Sequence, residues 1–181
     1  MLQFACSKAG LILYWLDPAM AKTDPDQARL ALHNALTVSK ANVLMIQDAG
    51  DDVNYLRLAE RVIPETRFYD YAEGFPFVTP RFPHLRLTIQ TGWTSEEKEG
   101  FLLLRDMLVP AEGLLDSLTY SLTINEDSPL MGRFVLDKKG IPTGVDKPLT
   151  NKEVLDKREW STYASVLHKE YLEIHGKGVV F

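Results

Sequence analysis

Residues 42–63, NVLMIQDAGDDVNYLRLAERVI, decide how this 181-residue chain is read. The run Val43-Leu44-Met45-Ile46 has the length of a strand and no polar alternation, the pattern of a strand covered on both faces. An acidic stretch follows, Asp48-Ala49-Gly50-Asp51-Asp52. Val53, Leu56, Ala59 and Ile63 then recur at helical spacing until Pro64 ends the pattern. Asp51 or Asp52 is a natural cap for that helix. A strand that runs directly into a helix belongs in a parallel sheet, and open α/β sheets bind their ligands beyond the carboxyl ends of such strands. The three carboxylates therefore stand where chemistry is possible, in what reads as the centre of the sheet.

Upstream, Leu11–Leu16 (LILYWL) is a second apolar run, stopped by Asp17-Pro18, and is expected as the first strand. Asp24-Pro25-Asp26-Gln27 has a capping residue, a proline for the first helical position and glutamine at the capping-box position. Ala28, Leu32, Ala35 and Ser39 give the stripe of the helix it opens. The first third thus reads strand, helix, strand, helix.

Downstream, Arg67–Tyr71 alternates like a strand, and His84–Gln90 alternates more cleanly, with Leu85, Leu87 and Ile89 on one face of a half-buried strand. Between them lies EGFPFVTPRFPH, residues 73–84, with three prolines and three phenylalanines in twelve residues. Proline lacks the amide that a central strand must donate, so this segment is a loop or a wandering edge. Thr94 and Glu97 in capping-box spacing open a third helix carrying Phe101, Leu104 and Leu108. Leu118–Ile124 alternates as a strand, Arg133–Leu136 with the turn Asp137–Gly140 reads as a hairpin arm, and residues 140–148 read as loop. Trp160, Tyr163, Leu167, Tyr171 and Ile174 set the apolar face of a long C-terminal helix closed by Gly176. The expectation is a single α/β domain over residues 1–181, with α+β as the alternative, built on a mixed sheet of about five to seven strands.

Twenty-five acidic against 20 basic residues give a net charge of −5 and a pI near 5.4. That balance disfavours a dedicated nucleic-acid binder, which needs a basic face. The lone Cys6 allows no intramolecular disulfide and fits a reducing compartment. The first apolar run is too short to cross a membrane and lacks the flanks of a secretory signal, so a cytoplasmic protein is expected.

Two constellations can carry function. Asp48, Asp51 and Asp52 can hold Mg²⁺, a hard cation that prefers carboxylate oxygens and assists hydrolysis or phosphoryl transfer. Their structural reading is helix capping, and carboxylates at a helix start repel phosphate unless a metal intervenes. The loop offers Phe75, Phe77 and Phe82, stiffened by Pro76, Pro80 and Pro83 and flanked by Arg81, His84 and Trp93. Aromatics and arginine on a rigid backbone suit a protein interface. The structural reading is that the rings cover one end of the sheet.

Other motifs are missing. The histidines His33, His84, His168 and His175 have no metal-pair spacing, there is no G-x-S-x-G elbow, and no glycine loop precedes a Gly-Lys-Ser/Thr. The sequence therefore favours a small, soluble, non-catalytic binding module of the adaptor, inhibitor or immunity type, without a cofactor and with a protein partner. A Mg²⁺-dependent hydrolase or phosphoryl-transfer enzyme is the alternative.

Overall fold

Asp24 starts the longest helix described. In the computed structural model, which describes residues 5–6, 9–17, 19–47, 49–50, 53–92, 100–107 and 124–156, helix α1 covers Ala19–Thr23 and α2 covers Pro25–Ser39. Asp24 is extended, and its Oδ1 accepts from the amides of Asp26 and Gln27 at 3.1 and 2.9 Å. Gln27 does not close the capping box. Its Nε2 donates to the Lys139 carbonyl instead, at 2.5 Å. The chain leaves α2 through Lys40 in the left-handed region (φ 52°). Alanines 28, 31 and 35 with Leu32 and Leu36 form the buried face.

The contacts group the chain into two compact units. One comprises Met1–Tyr14, Gly113–Arg133 and Lys147–Phe181, the other Trp15–Glu112 and Phe134–Asp146. In the second, β2 (Val43–Ile46), β5 (Leu87–Gln90) and β6 (Leu102–Leu103) form a parallel sheet in the order β2-β5-β6. Register runs from Val43 opposite Leu87 to Ile46 opposite Gln90. Among the described residues the strand expected at the centre is therefore an edge, half-buried, and β5 takes the centre. β5 is also buried on both faces, since Thr88 and Gln90 are as inaccessible as Ile89. A threonine and a glutamine mimic the outward face of an amphipathic strand, and the alternation misleads for that reason.

Helix α3 (Tyr55–Val62) begins later than the acidic stretch implies. Ala49–Gly50 (β3) and Val53–Asn54 (β4) pair antiparallel, so no helix can start until that ribbon ends. Asn54 is the cap, its Oδ1 accepting from the Arg57 amide at 2.9 Å. Asp48, Asp51 and Asp52 lie outside the described residues. The expected strand 67–71 is replaced by two 3₁₀ turns, Pro64–Arg67 and Tyr71–Glu73, started by Pro64 and by Asp70, whose Oδ1 accepts from Ala72 N at 2.7 Å. The expected helix through Phe101 is interrupted too: residues 102–103 pair with β5, and among the described residues of that stretch Leu104–Met107 is helical (α4). Gly100 explains part of this. A Cβ there would sit 2.0 Å from the Thr66 carbonyl oxygen, so the chain crosses Thr66 with no room for a side chain. The core joins Leu32, Leu36, Leu56, Ala59, Val62 and Ile63 to Phe77, Phe82, Leu85 and Phe101.

β1 (Leu13–Tyr14) runs parallel to β7 (Pro129–Leu136), Leu13 opposite Met131 and Tyr14 opposite Gly132. The first strand thus pairs with β7 and not with β2. β8 (Pro142–Thr150) completes the order β1-β7-β8 and replaces the loop expected at 140–148. Pro142, Gly144 and Pro148 read as turn residues, yet an edge strand tolerates them because its outer amides need no partner. The turn before it is held by Asp137, whose Oδ1 accepts from the amides of Lys139 and Ile141. Helix α5 (Asn151–Asp156) opens with a complete capping box: Glu153 N donates to Thr150 Oγ1, and Thr150 N donates to Glu153 Oε2. Of the expected strand Leu118–Ile124 only Ile124 is described, outside any strand, and the C-terminal helix at 160–174 lies outside the described residues. Those residues are mixed α/β, with five helices, two three-stranded sheets and one two-stranded ribbon. None of these helices is long and apolar enough to cross a membrane.

Candidate functional site

The loop 73–84 is built on a hydrogen-bond relay to the central strand. Leu87 donates its amide to the Asn42 carbonyl, just before β2, and Thr91 to that of Ile46, so the Thr88 amide points to the other side, where β6 starts only opposite Ile89. Tyr71 fills the gap. Its hydroxyl accepts from Thr88 N at 2.8 Å and donates to Thr88 Oγ1 at 2.9 Å, while Thr88 Oγ1 donates to the Gly100 carbonyl at 2.5 Å. A side chain thereby completes a strand ladder that the backbone leaves short.

From Tyr71 an aromatic group extends outward. The Tyr69 and Tyr71 rings meet edge to face at 4.7 Å, and Tyr69 meets Phe77 at 5.0 Å. The Tyr69 hydroxyl donates to the Phe75 carbonyl and closes the loop on itself. Desolvation first, then the neighbouring Tyr71, Asp70 and Glu73, push the Tyr69 phenol above its ordinary range. At the other end, Phe82 is clasped edge-on by His33 at 5.3 Å and by His84 at 6.2 Å. Asn42 Nδ2 donates to the His84 carbonyl and ties that end to the start of β2.

These anchors separate the sequence-predicted residues into two sets. Phe77 and Phe82, expected among the contact residues, are core residues at 1% and 0% exposure. Phe75 is 68% exposed, and Arg81, six residues further on, is exposed as well. His84 is half-buried with its Nε2 inaccessible and unpaired among the described residues. Trp93 lies outside the described residues. Over residues 76–80 the chain alternates, Phe77 and Thr79 pointing in and Pro76, Val78 and Pro80 out, while Phe75 lies before that run and Phe82 after the turn in which its amide donates to the Thr79 carbonyl. Pro76 and Pro80 enforce it by holding Phe75 and Thr79 out of the helical region.

Two exposed residues join Phe75 that sequence reasoning did not single out, Val78 at 62% and Phe68 at 89%. Val78 was legible as the outward partner of Phe77 in an alternating run. Phe68 was hidden by the false strand at 67–71. Among the described residues, no group of three or more histidines, cysteines or carboxylates is placed to hold a metal ion. Cys6 is buried, and its burial raises the thiol pKa, the opposite of what activates a nucleophile. The surface supplies apolar contact area and one guanidinium on a stiff backbone. No family model, no curated protein and no solved structure matches the chain.

Proposed function

We propose that this chain is a non-catalytic binding module, of the adaptor, inhibitor or immunity type, that engages a protein partner in the cytoplasm through the loop 73–84. Phe75, Val78 and Arg81 make the contacts, Phe68 extends them, and Phe77 and Phe82 hold the loop in place. His84 closes its base, and Trp93 remains assigned to the same surface. The supporting observation is the division of the loop: Phe75 and Val78 face water on a segment whose Phe77 and Phe82 are locked in the core. Covering the exposed part of Phe75 removes roughly 130 Å² of apolar surface from water, about 3 kcal/mol before binding costs. Because the backbone is already ordered, little of that is lost to loop ordering.

A photoreactive residue at position 78 tests this in the native host. It should cross-link one defined protein, and Phe75→Asp should reduce the yield at least tenfold while leaving the melting temperature unchanged. A cross-linking pattern identical to that from exposed position 61 on α3 would overturn the proposal.

A further inference from the structure

The turn that leads into the loop gathers negative charge around an aromatic pair. Asp70 opens the 3₁₀ turn Tyr71–Glu73, and Gly74, in the left-handed region at φ 73°, closes it with its amide donating to the Tyr71 carbonyl. The bend brings residue 75 back to residue 69, where the Tyr69 hydroxyl donates to the Phe75 carbonyl. Tyr71 and the buried Phe77 pack on the Tyr69 ring at 4.7 and 5.0 Å, nearly at right angles. Tyr69 is only half-buried and Phe75 is exposed, so both keep surface that a partner can reach. Besides desolvation, the groups acting on the Tyr69 phenol are Tyr71, Asp70 and Glu73, and no cation is among them. Asp70 gives one carboxylate oxygen to the Ala72 amide, Glu73 is exposed, and neither forms an ion pair among the described residues. The nearest arginine in sequence, Arg67, is turned to Glu60 at 3.7 Å.

We infer that this end of the loop takes a positively charged side chain of the protein partner, arginine or lysine, against the Tyr69 and Phe75 rings and the Asp70 and Glu73 carboxylates. The inference rests on reading loop 73–84 as a binding surface, and it names the chemistry of what that surface meets. Aromatic faces carry negative charge density and attract a cation that lies over them. Carboxylates accept the N–H donors of that cation in charge-assisted hydrogen bonds. The stems of arginine and lysine are apolar, so they lie along Phe75 while the charged head reaches the acids. An apolar partner that covered Tyr69 and Phe75 would desolvate the two carboxylates without a counter-charge. An acidic or phosphorylated partner would meet like charge. Only a basic partner gains from the rings and the acids together. The net charge of −5 on the chain favours encounter with such a partner.

Aromatic proton NMR of the full chain tests the inference, with N-acetyl-arginine amide, N-acetyl-lysine amide or the uncharged N-acetyl-norleucine amide titrated at constant ionic strength. At least one cationic probe should shift the Tyr69 and Phe75 ring signals saturably, with a dissociation constant of about 1–50 mM. Norleucine should give no saturable shift, and the tighter of the two cations identifies the residue the partner supplies. Glu73→Gln should weaken the cationic probe at least threefold with unchanged melting temperature. Adding Asp70→Asn should weaken it further, since asparagine keeps an oxygen for the Ala72 amide and loses only the charge. Phe75→Leu should also weaken it, because leucine keeps apolar bulk without a π face. Norleucine binding as tightly as the cations overturns the inference, as does a Glu73→Gln variant that binds them like wild type. The cross-link at position 78 separates this failure from that of the wider reading. A defined cross-linked protein with no cation-induced shift refutes the cationic contact and leaves the binding surface standing. Neither a cross-link nor a shift refutes both.

Discussion

Replacing Tyr71 by phenylalanine removes one oxygen atom and leaves the ring, so it isolates the relay beneath the loop from the packing around it. Two hydrogen bonds to Thr88 disappear, at 2.8 Å to its amide and 2.9 Å to its hydroxyl. Thr88 Oγ1 still has the Gly100 carbonyl as its acceptor. Thr88 N has nothing left, and Thr88 is fully buried, so water does not replace the lost partner. A typical hydrogen bond contributes about 1 kcal/mol net, and an orphaned buried donor costs a further 1–3 kcal/mol or so. The expected destabilisation is therefore about 2–4 kcal/mol, read by urea denaturation. Thr88→Val removes the hydroxyl and keeps the amide bonded to Tyr71, so it should cost less than Tyr71→Phe. The two changes should also be non-additive, with a coupling above about 0.5 kcal/mol, because they share one bond. A Tyr71→Phe cost under about 0.5 kcal/mol would sink the reasoning, since it would mean that the Thr88 amide finds another acceptor at no expense.

Three further outcomes follow from the same geometry. Phe77→Ala should cost about 3–5 kcal/mol in denaturation experiments and Phe75→Ala less than about 0.5 kcal/mol, although both are phenylalanines two residues apart in one loop. Gly100→Ala should destabilise more than Gly132→Ala: at position 100 the new methyl meets the Thr66 backbone, at position 132 the Tyr14 ring, which can swing aside. The third concerns pH. Tyr69 has its folded pKa raised above the ordinary 10.0, so the stability it contributes is fully present below pH 10.0 and is lost as pH rises through the folded value. The melting temperature of wild type should therefore fall more steeply in that alkaline range than that of Tyr69→Phe.

Local chemistry was legible wherever it outweighed everything else. Asp24-Pro25 announced α2 because cap, fixed φ and apolar spacing agree, and β2 was readable from four apolar residues in a row. What the sequence did not carry was neighbourhood. Strand order depends on which segments meet: β1 pairs with β7, where the Tyr14 ring occupies the space a side chain at Gly132 would need, 118 residues away in sequence. Thr88 and Gln90 look solvent-facing because their types are polar; only the covering residues reveal that they are buried. Prolines in β8 signalled a loop because edge and centre are indistinguishable in one chain. The capping box at Thr150 and Glu153 is legible in the sequence, but the prolines and glycines around it mark the region as irregular.

For the candidate site the difficulty lies in the bends of the loop. Composition marks 73–84 as aromatic and stiff, but no single period places its three phenylalanines, because the alternation covers only residues 76–80 and the chain turns between Thr79 and Phe82. Phe77 and Phe82 face inward because Tyr69, Tyr71 and the two histidines build partners for them. Once those two are fixed, Val78 has only the outside left, and Phe75 is held out by the bond from Tyr69 to its carbonyl. Burial of two of the three rings thus strengthens the case for the third. A free loop that docks Phe75 gives up the entropy of ordering at about 1–2 kcal/mol per backbone residue, which over six residues exceeds what one ring and one valine return. Here that ordering is supplied by folding, through Phe77, Phe82 and the Tyr71 relay. The loop's buried half is the reason its exposed half can bind.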